Sequence, residues 1–471
     1  MSIFHSDLGK EKISEILSNK KTKIHFVGVG GVGMYSLCVI SAKRGYSVSG
    51  SDRELSALCN SLIDSGYDIK IGHSEENVKD AGLVVYSLAV GEENPEISYA
   101  KRNRIPSVSR AEYLGFIMES YSKSISVSGS HGKSTTAAMI SEIFEKAGKA
   151  PTVVLGAALP GSDSPVRIGD NGLLICEGCE YKDSFLYFSP DVTVFTNLEL
   201  DHVDYFDGLD SLKESFLKAM NLPSLSVVNI DDENLRELLP LVNTRTVTFG
   251  ESRSADYNVY TEEWKAGYYR LKILHGGAEK LDVRLSVPGR FNAMNALASA
   301  VLAFECGVSE DTVSMSLEAF TGIERRMEKL CDFGTNIVYY DYAHHPTEIS
   351  SVINAVREMT GREIVVIFKP HTYSRTAGLM EQFVSALSLA DKVFLTEISA
   401  IREMAIEGVS SGVLASKIGE KATRVNDEDI LDAIGDIQNS AIIIMGAANL
   451  DTVKNLILGK RKSTDKWKKK A

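Results

Sequence analysis

At 471 residues the chain exceeds what one hydrophobic core usually holds, about 250–300 residues, so two or three domains are expected. A composition of 44% hydrophobic and 24% charged residues suits a globular protein and excludes a disordered or fibrous one. The net charge of −12 argues against a surface that coats nucleic acid.

The opening MSIFHSDLGKEK has no apolar run behind a basic start, so it does not read as a secretion signal. The longest apolar stretches, such as AIIIMGAA at 441–448, are too short to span a bilayer. Six sparse cysteines suit free thiols in a reducing cytoplasm.

Short β-rich runs alternate with helical periodicity, which reads as parallel α/β. The first block opens with KIHFVGVGGVGMYSLCVISAKRG, a strand, a glycine turn and a helix carrying apolar Met34, Leu37 and Ile40. Gly28, Gly30 and Gly33 satisfy G-x-G-x-x-G, with Gly31 inside the turn. Asp52 follows the next strand, where a ribose-binding acid is expected. The pattern predicts a diphosphate at a helix N-terminus, from NAD or any other nucleoside diphosphate. The plainer reading is a tight turn for packing. His25, in an apolar strand, reads as a core or turn residue.

The second block begins at SISVSGSHGKSTTAAMI. Gly132, Lys133 and Ser134 end it like a phosphate loop, although Val127 stands where the commonest loop has its first glycine. Strand, turn, lysine and amphipathic helix together favour phosphate binding over a chance G-K-S. Lys133 would reach the β/γ-phosphates and Ser134 would offer a Mg²⁺ ligand. Strands LLICEG, VTVFTN and LSVVNI follow, and residues 256–288 read as antiparallel hairpins, with Tyr257, Trp264 and Tyr268 as sheet packing. Cys176 and Cys179 form C-x-x-C without a second pair, and free thiols are favoured over metal or redox chemistry.

The third block, from about Thr321, reads as a small doubly wound domain built on NIVYYDY, EIVVIFKP, KVFLTEIS and AIIIMGAA. The tail GKRKSTDKWKKKA is expected to be solvated and disordered.

Unusual polar residues recur where strands end: Glu177; Asn197, Asp201 and His202; Asp341, His344 and His345; His371 and Arg375; Arg402 and Glu403. Ligands of open α/β sheets bind at those ends, so a cleft between domains is expected. Adjacent side chains of an extended segment diverge, so His344 and His345 are not expected on one ion.

A diphosphate loop in one domain and G-S-H-G-K-S in the next resemble the Mur ligases, ATP-dependent amide-forming enzymes of bacterial cell-wall synthesis. The likeness covers essentially the whole chain: HFVGVGGVGM, SGSD, NPEIS, SRAEYL, SGSHGKSTT, CEGCEYKDSFL, TNLELDHVDYF, PGRFNAMNALA, GIERRME, DYAHHPTEI, FKPHTYSRT and REMAIEGVSS occur in order. It implies a Rossmann-like domain at 1–112 for a UDP-sugar. A central P-loop-type α/β domain with added β-hairpins at 113–321 would hold MgATP. A Rossmann-like C-terminal domain at 322–459 would bring the amino acid, with a basic, disordered tail at 460–471.

The implied reaction joins L-alanine to the lactyl carboxylate of UDP-N-acetylmuramate through an acyl phosphate, in peptidoglycan precursor synthesis. The resemblance implies ATP contacts at Gly129, Ser130, His131, Gly132, Lys133, Ser134, Thr135, Asn295, Arg326 (or Arg325) and Asp341. Ser134, Glu177 and His202 would hold Mg²⁺. Gly28, Gly30, Gly31, Gly33, Asp52, Tyr342, His371 and Arg375 would face the substrates, and Lys133 and His344 would be catalytic, His344 as a candidate amine base. The partners are then small molecules, without nucleic acid or membrane, for a cytoplasmic monomer or weak homo-oligomer.

The chain departs from the family pattern at Phe291, often His, and at Thr372, often Arg, in MGAANLD, and in a CEYKD stretch without the acidic DESD of some relatives. Alternatives are a sister ligase taking glycine, serine or a peptide, an NAD-dependent oxidoreductase, or a nucleotide-binding regulator without turnover.

Overall fold

A computed structural model describes residues 8–170, 172–399, 403–448 and 450–468, with side chains through 459. The described residues form three sheets, each flanked by helices.

The first sheet has five parallel strands in the order Asp68–Ile71, Ser47–Asp52, Lys23–Val27, Leu83–Tyr86, Ser107–Ser109. Its order reverses beside Lys23–Val27, so the glycine loop that leaves this strand opens at the switch point, where a crevice must form. Ile24, Phe26 and Val27 are fully buried, as expected of a strand covered on both faces.

The second sheet has ten strands. Lys123–Ser128 lies between Leu173–Gly178 and Val192–Phe195, all parallel. The ends of these three neighbours therefore place Gly129, Glu177 and Thr196 side by side. Tyr257–Lys265, Tyr268–His275 and Ala278–Pro288 form the antiparallel extension expected from the glycine-punctuated alternation. Tyr257 is buried, whereas Trp264 is exposed. The helix Arg290–Glu305 is apolar around most of its girth and packs on Lys133–Lys146 at the centre of the largest core.

The third sheet runs Glu328–Phe333, Asn336–Asp341, Ala441–Met445, Ile364–Phe368, Lys392–Leu395, Ala422–Arg424, with only the first pair antiparallel.

The helix Arg110–Met118 spans the boundary expected at residue 112 and belongs to a core containing both Phe26 of the first sheet and Phe195 of the second. The last described helix is Asp451–Lys468, begun by Val453 and Ile457, which are buried against the third sheet. Residues 469–471 lie outside the described residues. No described helix is long and apolar enough to cross a membrane.

Candidate active site

The loop 129–132 is held by the neighbouring strand end. Ser130 N donates to Asn197 O (3.1 Å), His131 N to Asn197 Oδ1 (2.8 Å), and Thr196 Oγ1 to His131 O (2.8 Å). Gly132 caps the helix Lys133–Lys146 at φ +80°, and a Cβ there would lie 2.5 Å from Asn295 Oδ1. Both conformation and space therefore require glycine. First-turn amides have no acceptor inside their own helix, so Lys133, Ser134 and Thr135 present N–H groups at a positive helix end, a fit for phosphate.

Lys133 Nζ folds back over the loop, donating to Ser130 O (3.1 Å) and Glu180 Oε2 (2.9 Å). Glu180 is buried, and its other oxygen lies 3.5 Å from His202 Nε2. Burial alone would raise the Glu180 carboxyl and lower the Lys133 ammonium; their mutual attraction wins, holding Glu180 below and Lys133 above their ordinary values. His202 adopts φ +54°, a conformation that costs energy outside glycine.

A cavity of about 540 Å³ unites these groups with all three sheets. The central sheet contributes Lys133, Ser134, Glu177, Glu180 and His202, the C-terminal one Arg326, Tyr342 and His344, and the first one Val32 and Leu58. Glu177 lines it while accepting a bond from Gly156 N.

A second cavity of about 460 Å³ lies beyond His131, between Phe291, Asn295, Asn229, Asp341 and Thr347. Arg326 borders both cavities, 3.6 Å from Glu348 Oε1. Asp341 accepts bonds from Met327 N and Ala343 N, both 2.7 Å, and burial pushes its carboxyl up to about 6.

His131 joins this loop to the C-terminal domain: Nε2 meets Glu199 Oε2 at 2.9 Å and Nδ1 meets Glu348 Oε1 at 3.4 Å. Against the effect of burial, these two carboxylates raise the imidazole to about 9. His131, Glu199 and His345 bring potential ligand atoms within 4.8 Å of one another. The His131 nitrogens are already matched to carboxylates, so the group acts as an ion-pair clasp between domains.

The first glycine loop borders a third cleft, about 1040 Å³, with Gly28, Gly30, Gly31 and Asp52 on one side and Lys369 and Ser399 on the other. Gly30 N donates to Asp52 Oδ2 (2.8 Å), so the expected ribose acid also fixes the turn. Gly33 lies against Arg110, whose Cδ would be 3.0 Å from an added Cβ.

Family models match in this same order: "Mur ligase family, catalytic domain" at 23–122, "Mur ligase middle domain" at 127–303 and "Mur ligase, glutamate ligase domain" at 325–458. The UDP-N-acetylmuramate–L-alanine ligase of Acetivibrio thermocellus is 39% identical over 464 residues, covering 95% of this chain and 98% of the relative. The chain belongs to the Mur ligase family.

The Aquifex aeolicus enzyme of the same name is 38% identical over 92% of this chain and 97% of its own. A solved UDP-N-acetylmuramate–alanine ligase from Thermotoga maritima superposes with a TM-score of 0.80 at 29% identity, covering 94% and 99% of the two chains.

Within this Mur ligase, the residues expected on the substrate side divide. Tyr342 and His344 line the three-domain cavity, and His344 Nδ1 is 3.1 Å from Tyr342 O and 3.3 Å from Glu348 Oε2. His371 lies behind, its ring 5.9 Å from that of His344. Arg375 is committed elsewhere. It is buried, and its Nε and a terminal nitrogen donate to Asp201 Oδ1 at 2.9 and 2.6 Å, because a buried guanidinium requires a counter-charge. Burial would raise Asp201, but Arg375 holds its carboxyl well below the usual range.

His344 and His345 do diverge: His345 Nδ1 accepts from Thr347 N and caps the helix Pro346–Thr360. Thr372 caps the helix containing Arg375, and Phe291 lines the cavity beside Asn295. Cys176 and Cys179 are free, with burial pushing Cys176 up to about 12. Arg402 lies outside the described residues.

Sequence reasoning passed over Glu180. It stands three positions after Glu177 in CEGCEYKD, and only the fold shows that this carboxylate bridges Lys133 and His202.

Proposed function

We propose that the chain is an ATP-dependent ligase joining L-alanine to the lactyl carboxylate of UDP-N-acetylmuramate, in peptidoglycan precursor synthesis. The observation carrying this reading is the single cavity in which Lys133, Glu180, His202, Arg326 and His344 converge between a nucleoside-sized pocket and the glycine-loop domain. The names of the relatives agree with it.

In this reading adenosine occupies the pocket of Asn295 and Asp341, and the triphosphate lies along Gly129–Thr135. Lys133, released from Glu180, neutralises the β/γ-phosphates. Ser134, Glu177, Glu180 and His202 offer mainly hard donors suited to Mg²⁺, which would screen the repulsion between triphosphate and carboxylate. The lactyl carboxylate attacks the γ-phosphorus, giving an acyl phosphate and ADP. The neutral amine of alanine then attacks the acyl carbon, and the tetrahedral intermediate expels phosphate.

Arg326, which touches both cavities, stabilises charge on the transferring group. His344 takes the ammonium proton, with Glu348 beside its Nδ1. The His131 clasp and the Arg375–Asp201 pair close the C-terminal domain against water, as a hydrolysable acyl phosphate requires. The reactants and free thiols suit the cytoplasm. An NAD-dependent oxidoreductase would leave Lys133, Glu180 and His202 without a task.

The test is a phosphate-release assay with ATP, Mg²⁺ and UDP-N-acetylmuramate, adding amino acids singly. Release dependent on L-alanine is expected. Release dependent on another amino acid, and not on L-alanine, would overturn the assignment.

A further inference from the structure

Beneath the first-domain cleft lies a buried carboxylate that the reaction above does not use. Glu96, at the start of the helix Pro95–Arg102, is 0% exposed. It accepts bonds from Ser51 Oγ (2.5 Å), Asn77 Nδ2 (2.6 Å) and Ser74 N (3.3 Å), and His73 Nδ1 is 3.0 Å away. Among the described residues no lysine or arginine pairs with it. A buried carboxylate without a counter-charge is costly, and against that cost His25 and His73, with Ser51 and Asn77, hold the Glu96 carboxyl well below the usual range. His25 Nδ1 meets Ser49 Oγ at 2.9 Å, and its Nε2 is 3.7 Å from Glu96. His73 is nearer, and it is the one that lines the cleft.

The bond from Glu96 raises the His73 imidazole above its ordinary value against the effect of burial. Asp52, facing it from the second strand, acts in the same direction, and Arg53 opposes. With Nδ1 held by Glu96 and Ser51, the opposite N–H edge of the ring is what His73 can present to a ligand.

The two other cationic side chains of the cleft already have carboxylate partners. Lys369 pairs with Asp427 at 2.6 Å and Arg53 with Glu54 at 2.9 Å. In the glycine loop, Gly28 N and Val29 N donate to Ser51 O, Gly30 N to Asp52, and Gly31 N to Gly28 O. Asp52, Glu54, Glu93 and Glu397 add negative charge to the same walls. The helix Val32–Lys43 offers its open first-turn amides to a diphosphate, but the loop itself supplies no cation.

We propose that His73, held at Nδ1 by the buried carboxylate of Glu96, is a specificity residue of this cleft, donating to an acceptor oxygen of the bound nucleoside diphosphate. Glu96 is its positioning residue. The proposal rests on the reading of this cleft as the UDP-sugar site.

The test is calorimetric titration of the full chain with UDP and with uridine between pH 6 and 9.5, alongside steady-state kinetics. For the native chain, UDP affinity should fall as pH rises through the His73 value, where the cation is lost. His73→Gln should bind UDP about tenfold more weakly at the acid end, the scale of one charge-assisted hydrogen bond, and lose the pH dependence. Its KM for UDP-N-acetylmuramate should rise while kcat and ATP binding stay within about twofold, which also reports an intact fold. Glu96→Gln should move the midpoint to lower pH, a change that a packing role would not produce.

A loss shared by uridine assigns the acceptor to the nucleoside, and a loss confined to UDP assigns it to the diphosphate. UDP binding indifferent to His73, or a midpoint unmoved in Glu96→Gln, would overturn this assignment alone. Failure of the native chain to bind any uridine nucleotide would overturn both it and the reading beneath it.

Discussion

The loop at 28–31 and the loop at 129–132 both spend backbone amides on a neighbouring strand end, and both lead into a helix whose first amides stay open, but only the second has a lysine at that helix start. Both follow a parallel strand and precede a helix. The first is tied down by Ser51 and Asp52 of the next strand and carries no cation, so its ligand must find one elsewhere. The second is braced by Asn197, which takes Ser130 N and His131 N, and by Thr196, and what it adds for phosphate is Lys133 at the start of its helix. Glycine spacing alone therefore does not say how strongly a loop binds phosphate; the charge placed at the helix start does.

The largest break in that contrast should come from Lys133→Ala, which removes the cation only the second loop carries. Turnover should fall about 10³-fold, the scale of one lost charge stabiliser, while UDP binding is unchanged, checked by phosphate release and calorimetry. Glu180→Gln should lower turnover about 10²-fold and raise the Mg²⁺ requirement more than Glu177→Gln does, because only Glu180 touches both Lys133 and His202. Equal effects of the two substitutions would remove Glu180 from its central place.

Gly132→Ala combines a left-handed backbone with a clash against Asn295, and should raise the KM for ATP about tenfold, of order 1–3 kcal/mol. Gly33→Ala meets only the flexible side chain of Arg110 at 3.0 Å and has no left-handed φ. Its KM for UDP-N-acetylmuramate should change by less than about threefold, within the roughly 1 kcal/mol that a yielding contact costs. A larger loss for Gly33→Ala than for Gly132→Ala would reverse the comparison.

Much of this was legible along the chain. Strand, glycine turn and helix are local patterns, so both loops, the hairpins at 257–288 and the doubly wound third sheet could be read from residue order. The expected groups at Ser130–Thr135, Asn295, Arg326, Asp341 and His344 line two adjoining cavities. Arg375 could not be read in the same way, because its partner Asp201 is 174 positions away.

Residue order alone thus determined which segments become strands, which turns demand glycine, and which families of ligand such turns suit, since these depend on neighbours along the backbone. Only the tertiary structure decided that Glu180 rather than Glu177 meets Lys133, that Arg375 answers Asp201, and that Glu96 leans on His73. Charges taken out of water must find partners wherever folding puts them, and that choice is made across the sheets, not along the chain.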